Sequence, residues 1–168
     1  MTKWCYTKYM IHSLEGLLAE KDGNLFAVEI GLPGQGGISF AVKSSVNTVK
    51  DLPPVGEKIK VFTYLHVRED ALELYGFLDK KELAFFKLLI SISGIGPKSA
   101  LNILGIEKVE KLQAAISEGR SELLSRASGV GKKTAERIIL ELRNKMVQSG
   151  SENIVGVMES DNDIIEAL

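Results

Sequence analysis

Apolar and polar residues alternate through the first half of the chain, and a period of two is typical of half-buried β-strands. Candidate strands cover residues 10–20, 25–30, 38–42, 59–67 and 72–77, and turn signals such as Lys21-Asp22-Gly23-Asn24 separate them. Five short strands at this spacing predict a small closed barrel, the OB type among others. The side chains predicted to share an inner face are Phe26, Val28 and Ile30 in the second strand, and Ile59, Val61, Thr63, Leu65 and Val67 in the fourth.

The period changes at Asp79, and helical patterning continues from there to about Ser149. Asp79 and Glu82 match a capping box, which predicts a helix start, and Gly105 and Gly119 stand where helix C-caps are expected. The chain is therefore predicted to be an α+β protein of two domains, a barrel followed by helices. The last helix carries one apolar stripe that is predicted to face the core: Ala135, Ile138, Ile139, Leu142 and Met146.

Charge is distributed unevenly, although the formal net charge of the 168 residues is only −1. Residues 1–86 hold 10 Lys/Arg against 11 Asp/Glu, whereas residues 87–145 hold 11 against 6, a net of +5. Residues 146–168 hold none against 5, a net of −5. A basic helical segment is compatible with an anionic partner, and the acidic tail is typical of a linker.

Several broad classes are disfavoured by composition. Cys5 is the single cysteine, so an internal disulfide and a four-thiolate metal or iron–sulfur site are excluded. Lys87 and Gly94 interrupt the longest apolar stretches, and scattered charges in the first twenty residues argue against a signal peptide. A cytoplasmic protein that does not associate with membranes is expected. His12 and His66 are too isolated in the sequence to suggest a metal site.

A duplicated segment carries the candidate chemistry. Residues 92–100 (ISGIGPKSA) align with residues 127–135 (ASGVGKKTA) at an offset of 35 residues. In both copies an apolar residue stands between two glycines, and a lysine and an alanine follow at the same positions. Glycine-apolar-glycine between two helices is the core of the helix–hairpin–helix motif.

The motif suits phosphate binding for physical reasons. The glycines allow a tight turn and leave no side chain between backbone and ligand. The apolar residue, Ile95 or Val130, is predicted to anchor the hairpin in the core, and the following helix presents its N–H groups and positive dipole end to an anion. Such interactions position a duplex without reading bases. The candidate DNA-binding residues are Gly94, Ile95, Gly96, Lys98, Ser99, Gly129, Val130, Gly131, Lys132, Lys133 and Thr134.

Other functions fit the sequence less well. Each glycine turn could simply join two helices, but two aligned copies, each followed by lysine, make that interpretation weaker. Lys133 stands where bifunctional helix–hairpin–helix glycosylases carry their Schiff-base lysine, but position 151, where their aspartate is expected, is Ser151. A nucleotide-driven motor would need a G-x-x-x-x-G-K-[ST] loop, which the sequence lacks. A generic helix–hairpin–helix duplex-binding repair scaffold remains the alternative, and no enzymatic activity or cofactor is expected.

Three segments together resemble the RuvA family. They are residues 62–77 (FTYLHVREDALELYGF), residues 94–98 and residues 129–137, and the match extends over roughly residues 10–149. The resemblance implies an OB-like barrel at 10–78, a tandem helix–hairpin–helix domain at 79–149, an N-terminal extension at 1–9, and an acidic linker with the start of a truncated third domain at 150–168.

The resemblance also implies a function and partners. Members of the family bind four-way (Holliday) junctions as a homotetramer, with an octamer on DNA also possible, and act with a RuvB-type motor and a RuvC-type resolvase in recombination and repair. Glu69 and Asp70 match the family's acidic pin at the junction centre, although an ordinary solvated hairpin tip is the alternative. Since the third domain docks the motor and only its first turns, from Asp163, are present, the chain as given is expected to bind junctions without supporting motor-driven branch migration.

Overall fold

The computed structural model describes residues 10–31 and 37–148, and side chains as far as Lys145. The chain divides into two compact units, Met1–Leu83 and Ala84–Leu168. The first contains the strands and the second most of the helices. The α+β class with two domains, predicted from the change of period, is confirmed.

The first unit is a closed barrel of five strands with one short helix. Its elements are β1 (Ser13–Asp22), β2 (Leu25–Gly31), β3 (Gly37–Lys43), α1 (Val46–Asp51), β4 (Lys58–Val67) and β5 (Leu72–Phe77). The strands follow the order β1-β2-β3-β5-β4, and β4 pairs back with β1. Every pairing is antiparallel except that of β3 with β5. This is the order of the five-stranded OB-type barrel that the turn spacing predicted.

The barrel core is formed by alternate residues of each strand, as the period of two requires. Phe26 and Val28 of β2, and Val61 of β4, are almost completely buried. Two residues predicted to share these inner faces are exposed instead, Ile30 by 36% and Val67 by 54%. Both residues stand at or near the ends of their strands. The strand pairing continues there past the packed interior, so a side chain on the inner-facing side has no core to pack against.

Two further local features differ from what the sequence predicted. The first strand begins at Ser13 and continues through Lys21 and Asp22, which were predicted to lie in a turn; the turn is formed by Gly23 and Asn24, with Gly23 at φ +58°. Helix α1 was not predicted, because six residues are too few to show a helical period. Its helix start is capped by Ser45, whose side chain accepts a hydrogen bond from the Thr48 backbone N–H at 3.1 Å.

The helices after the barrel are α2 (Lys80–Ile90), α3 (Pro97–Leu104), α4 (Val109–Glu118), α5 (Ser121–Leu124) and α6 (Lys132–Gln148). The division between the compact units falls within α2. Gly105 and Gly119 are the C-caps of α3 and α4, as predicted. The predicted stripe of α6 is buried at Ala135, Ile138, Ile139 and Leu142, whereas the side chain of Met146 lies outside the described residues.

The predicted capping box is formed only in its first half. The Glu82 backbone N–H donates to Asp79 Oδ1 at 2.6 Å, so Asp79 caps the start of α2. The Glu82 side chain does not serve the cap in the expected way, because its Oε1 accepts hydrogen bonds from the hydroxyls of Thr48, at 2.5 Å, and Ser45, at 3.3 Å. The carboxylate therefore joins α2 to α1.

Candidate nucleic-acid interface

The first hairpin joins α2 to α3 through a tight glycine turn. The Ile95 N–H donates to the Ile92 carbonyl at 3.0 Å, and the Ala100 N–H donates to the Gly96 carbonyl at 3.0 Å. Gly94 has φ +80°, a conformation in which a side chain is strained. Ile95 is 5% exposed and fills the core beneath the turn, as predicted. The backbone between Gly94 and Gly96 therefore lies at the surface with an apolar anchor below it.

The second hairpin, which joins α5 to α6, repeats this geometry 35 residues later. The Val130 N–H donates to the Ala127 carbonyl at 3.0 Å, and the Ala135 N–H donates to the Gly131 carbonyl at 2.9 Å. Gly129 has φ +82° and Val130 is 3% exposed. Since each of these features has its counterpart in the first hairpin, the duplication seen in the sequence is also a duplication of backbone conformation.

Each hairpin leads directly into the positive end of a helix. Pro97 is the first residue of α3, so its missing N–H removes one donor, and the exposed Lys98 follows. Helix α6 begins at Lys132, and both Lys132 and Lys133 are exposed. The first turn of α6 contains no acidic residue that would compensate for these lysines. Both helix starts thus combine backbone N–H groups with exposed cations, which suits a phosphate oxygen.

The β4–β5 hairpin ends in a separate acidic tip. The Arg68 N–H donates to the Ala71 carbonyl at 2.9 Å, so Glu69 and Asp70 form the tip of the loop at residues 68–71. Both carboxylates are exposed. Arg68 Nε lies 3.5 Å from Asp70 Oδ1, so the charge of Asp70 is partly compensated. This places the two predicted pin residues together at the end of the paired β4–β5 hairpin.

Comparison with known proteins agrees with both halves of the molecule. Residues 10–76 match the RuvA N terminal domain, and residues 86–144 match the SAM-like helix-hairpin-helix tandem. A protein of Dehalococcoides mccartyi (strain CBDB1) is 43% identical over 160 residues, which are 95% of this chain and 80% of the relative. A protein of Marinomonas sp. (strain MWYL1) is 43% identical over 145 residues, or 86% of this chain and 70% of the relative.

The chain belongs to the RuvA family. Both relatives are named Holliday junction branch migration complex subunit RuvA. A protein of Caldanaerobacter subterraneus subsp. tengcongensis with the same name is 44% identical over 132 residues, 79% of this chain and 68% of the relative. The resemblance inferred from the duplicated hairpins and the segment around Glu69 is therefore confirmed.

The predicted binding residues of this RuvA-family chain fall into three groups on two compact units. Those of residues 94–99 surround the first hairpin and the start of α3, and those of residues 129–134 surround the second hairpin and the start of α6. Glu69 and Asp70 belong to the barrel unit. Within the helical unit, the Ser99 side chain lies beside the second hairpin, since a Cβ built on Gly129 would be 3.9 Å from Ser99 Oγ.

Two residues near the hairpins were not predicted from the sequence. Asn102 of α3 donates from Nδ2 to the Ser128 carbonyl at 2.8 Å, which connects α3 to the second hairpin. Arg137 of α6 lies against the first hairpin, because a Cβ built on Gly94 would be 2.9 Å from Arg137 Nη2. They stand at equivalent positions of the duplication. Because one side chain is an amide and the other a guanidinium, aligning the two copies by residue identity does not reveal them.

A polar cluster lies on the β4–β5 hairpin behind the acidic tip. Lys43 Nζ donates to Glu73 Oε1, and Tyr75 Oη donates to Glu73 Oε2 at 2.7 Å. These two hydrogen bonds hold the pKa of the Glu73 carboxyl below its usual range, whereas burial and the neighbouring Glu73 raise the pKa of Tyr75. The ring of His66 lies 6.3 Å from that of Tyr64 and 6.4 Å from that of Tyr75. His66 thus packs between aromatic side chains on a strand.

Metal-ligating clusters and membrane-spanning helices are both absent from residues 10–31 and 37–148. No group of three or more His, Cys, Asp or Glu side chains in these ranges is arranged to hold a metal ion. Within the same residues, no helix has both the length and the apolar character needed to cross a membrane.

Proposed function

We propose that this RuvA-family chain binds four-way DNA junctions by their shape, without sequence preference, as a tetramer that holds the junction open. A RuvB-type motor would then drive branch migration, and a RuvC-type resolvase would act on the same junction. The names of the relatives, each a subunit of a Holliday junction branch migration complex, support the class of substrate. The chain itself is proposed to be a non-catalytic subunit.

The observation that carries the proposal is that one chain combines two hairpins of the same backbone conformation, each a candidate phosphate clamp, with one acidic tip. Each clamp offers backbone N–H groups at a helix start and exposed lysine, at residues 94–99 and 129–134. Protein groups that bind phosphate fix the position of a duplex but carry no base information. The tip, Glu69 and Asp70, has the opposite charge and would repel any backbone that approached it.

The tip is proposed to act by electrostatic exclusion. A carboxylate about 6 Å from a phosphate costs about 0.7 kcal/mol at the dielectric constant of water, and more where water is excluded. Four copies around one axis would therefore keep duplex DNA out of the centre and favour separated strands there. A linear duplex has no junction centre, so the four acidic tips do not strengthen its binding.

Neutralising the tip tests this function. Glu69→Gln with Asp70→Asn is expected to strengthen binding to linear duplex while removing much of the preference for four-way junctions, because the repulsion disappears and the lysine clamps stay intact. The ratio of junction to duplex affinity is measured by gel-shift competition at two salt concentrations. Because Arg68 compensates part of the Asp70 charge, Glu69→Gln is expected to be the larger single change.

A matched control separates position from net charge. Glu20→Gln with Asp22→Asn removes the same two charges from exposed positions near the β1–β2 turn. That turn lies at the opposite end of the barrel, since β1 runs antiparallel to β4. The control should raise both affinities slightly and equally. If the tip variant does no more than the control, the chain is better described as a generic helix–hairpin–helix duplex-binding scaffold.

A further inference from the structure

The two hairpins are joined by a reciprocal pair of interactions within the helical unit. Asn102 and Arg137 are separated by 35 residues, the offset of the duplication, and each lies six residues after the second glycine of its own hairpin. Asn102 donates to the carbonyl of Ser128, the residue before the left-handed Gly129. Arg137 lies against Gly94, the left-handed glycine of the other hairpin. A side chain from each motif therefore reaches the turn of the other, Asn102 by a hydrogen bond and Arg137 by close approach.

We propose that Asn102 and Arg137 are positioning residues that set the spacing of the two phosphate clamps before DNA arrives. This inference rests on the proposed function. Both side chains reach the Ser-Gly stretch immediately before the N–H groups that would face phosphate. Helix α6 is tied to the first motif again near its other end, where Lys145 Nζ donates to Ser91 Oγ at 2.5 Å. A clamp pair whose spacing is already set loses less conformational freedom on binding.

The Arg137 guanidinium lies in the space that a Cβ on Gly94 would fill. Any Cβ there would lie within 2.9 Å of the Arg137 guanidinium, in addition to the strain of a positive φ. A Cβ on Gly129 would meet Ser99 Oγ at an ordinary 3.9 Å. The planar guanidinium lies beside bare backbone with Glu141 Oε1 3.9 Å from its Nε, while 45% of the Arg137 side chain stays exposed, so direct binding to DNA is the alternative to a positioning role.

Removing each interaction without altering the clamps tests the proposal. Asn102→Leu keeps the size of the side chain and the net charge but removes the donor to Ser128. It should weaken junction binding by up to about tenfold, the limit set by the net free energy of one intramolecular hydrogen bond. The slope of log affinity against log salt concentration should stay unchanged, because the groups that neutralise phosphate are all still present. Asn144→Leu, at an exposed position of α6, is the control and should leave the affinity as it is.

Arg137→Gln separates positioning from direct binding to DNA. If Arg137 neutralised a phosphate, the salt slope would fall by about 0.9, whereas a positioning residue lowers the affinity with the slope maintained. Arg137→Lys should not restore the affinity, because a lysine keeps the charge but lacks the planar group that packs on Gly94. Unchanged affinity in Asn102→Leu, or a salt slope lowered by about 0.9 in Arg137→Gln, would overturn the proposal.

Hydrogen exchange of the DNA-free protein shows whether the positioning role fails independently of the proposed function. Amides of residues 128–131 should exchange faster in Asn102→Leu, and those of residues 93–96 faster in Arg137→Gln. If the parent chain does not prefer junctions but these amides loosen, the proposed function fails while the positioning interactions stand. If junction binding is intact and the hairpin amides keep their exchange rates, the positioning role fails. If Asn102→Leu does not fold, Asn102→Ala replaces it in both measurements.

Discussion

Individual residues in the two hairpins are under different physical demands, although their sequences look alike. Gly94 and Gly129 share a positive φ, so both must tolerate the left-handed region. Only Gly94 of these two also lies against a guanidinium. The helix after the first hairpin begins with Pro97, which lacks an N–H donor. The helix after the second hairpin begins with Lys132, which has both the donor and a positive charge. The second hairpin is thus expected to be the stronger electrostatic clamp.

Replacing both Lys132 and Lys133 by Ala tests that expectation. The double variant should weaken junction binding and lower the slope of log affinity against log salt by about 0.9 for each phosphate that is no longer neutralised. The slope is measured by titration at several salt concentrations. Lys108→Ala with Lys111→Ala, which removes two exposed lysines near the start of α4, controls for net charge. Equal slopes in the parent and the Lys132/Lys133 variant would show that the second hairpin does not bind phosphate.

Two carboxylates of the barrel unit couple neighbouring elements, and their pKa values move in opposite directions. Burial raises the pKa of Glu82, against which the hydroxyls of Thr48 and Ser45 act in the other direction. Hydrogen bonds from Lys43 and Tyr75 lower the pKa of Glu73. Burial in the folded state therefore favours the protonated form of Glu82, while ionised Glu73 stabilises the pairing of β3 with β5.

These shifts predict opposite pH dependence for two otherwise similar substitutions. Because the folded pKa of Glu82 is raised, the stability it contributes is present below its unfolded value, near 4.5, and is lost as pH rises through the folded pKa. Glu82→Gln, whose amide oxygen can still accept from Thr48, should become more stable relative to the parent over that window. Glu73→Gln should be less stable than the parent at neutral pH, and the difference should shrink as pH falls through the lowered folded pKa.

Denaturant unfolding of the parent and both variants, between about pH 3 and pH 8, measures the two differences in free energy. The two variants remove the same charge from the same unit, so each serves as the control for the other. A pH-independent difference for Glu82→Gln would contradict the assignment of a raised pKa. A constant difference for Glu73→Gln would do the same for the lowered one.

At the scale of the whole molecule, the proposed function requires several copies. One chain of 18.4 kDa presents two clamps and one acidic tip, whereas a four-way junction has four arms meeting at one centre. Four copies related by a closed rotation would supply each arm with equal clamps and bring four tips together. We therefore expect a particle of about four times the chain mass at micromolar concentration, alone and on a junction.

Light scattering coupled to size exclusion measures that mass directly. The Glu69→Gln/Asp70→Asn variant should give the same mass as the parent, because the tip is proposed to act on DNA rather than between subunits. A monomeric parent that still prefers junctions would contradict the fourfold arrangement. A change of mass in the tip variant would place the tip in a subunit interface instead.

Much of the architecture could be predicted because it depends on short-range patterns. Alternation in β4 predicted a strand with Val61 and Leu65 inward, and the change of period at Asp79 predicted the start of α2. The hairpins were predictable since glycine-apolar-glycine admits few backbone conformations, and the repeat at 35 residues doubled the signal.

Tertiary structure decided what depends on interactions between distant residues. Periodicity could not show that Ile30 and Val67 lie beyond the packed interior, because the end of a core is set by neighbouring strands. From the sequence, the Glu82 side chain could accept a hydrogen bond either from the start of its own helix or from a neighbouring helix. Only packing brings the hydroxyls of Thr48 and Ser45 to it. The sequence by itself determined two glycine turns followed by lysines, which are proposed to bind phosphate, and an acidic tip. Only the fold decided that Asn102 and Arg137 lie against the two turns, because their partners are 26 and 43 residues away in the chain and meet them through helix packing.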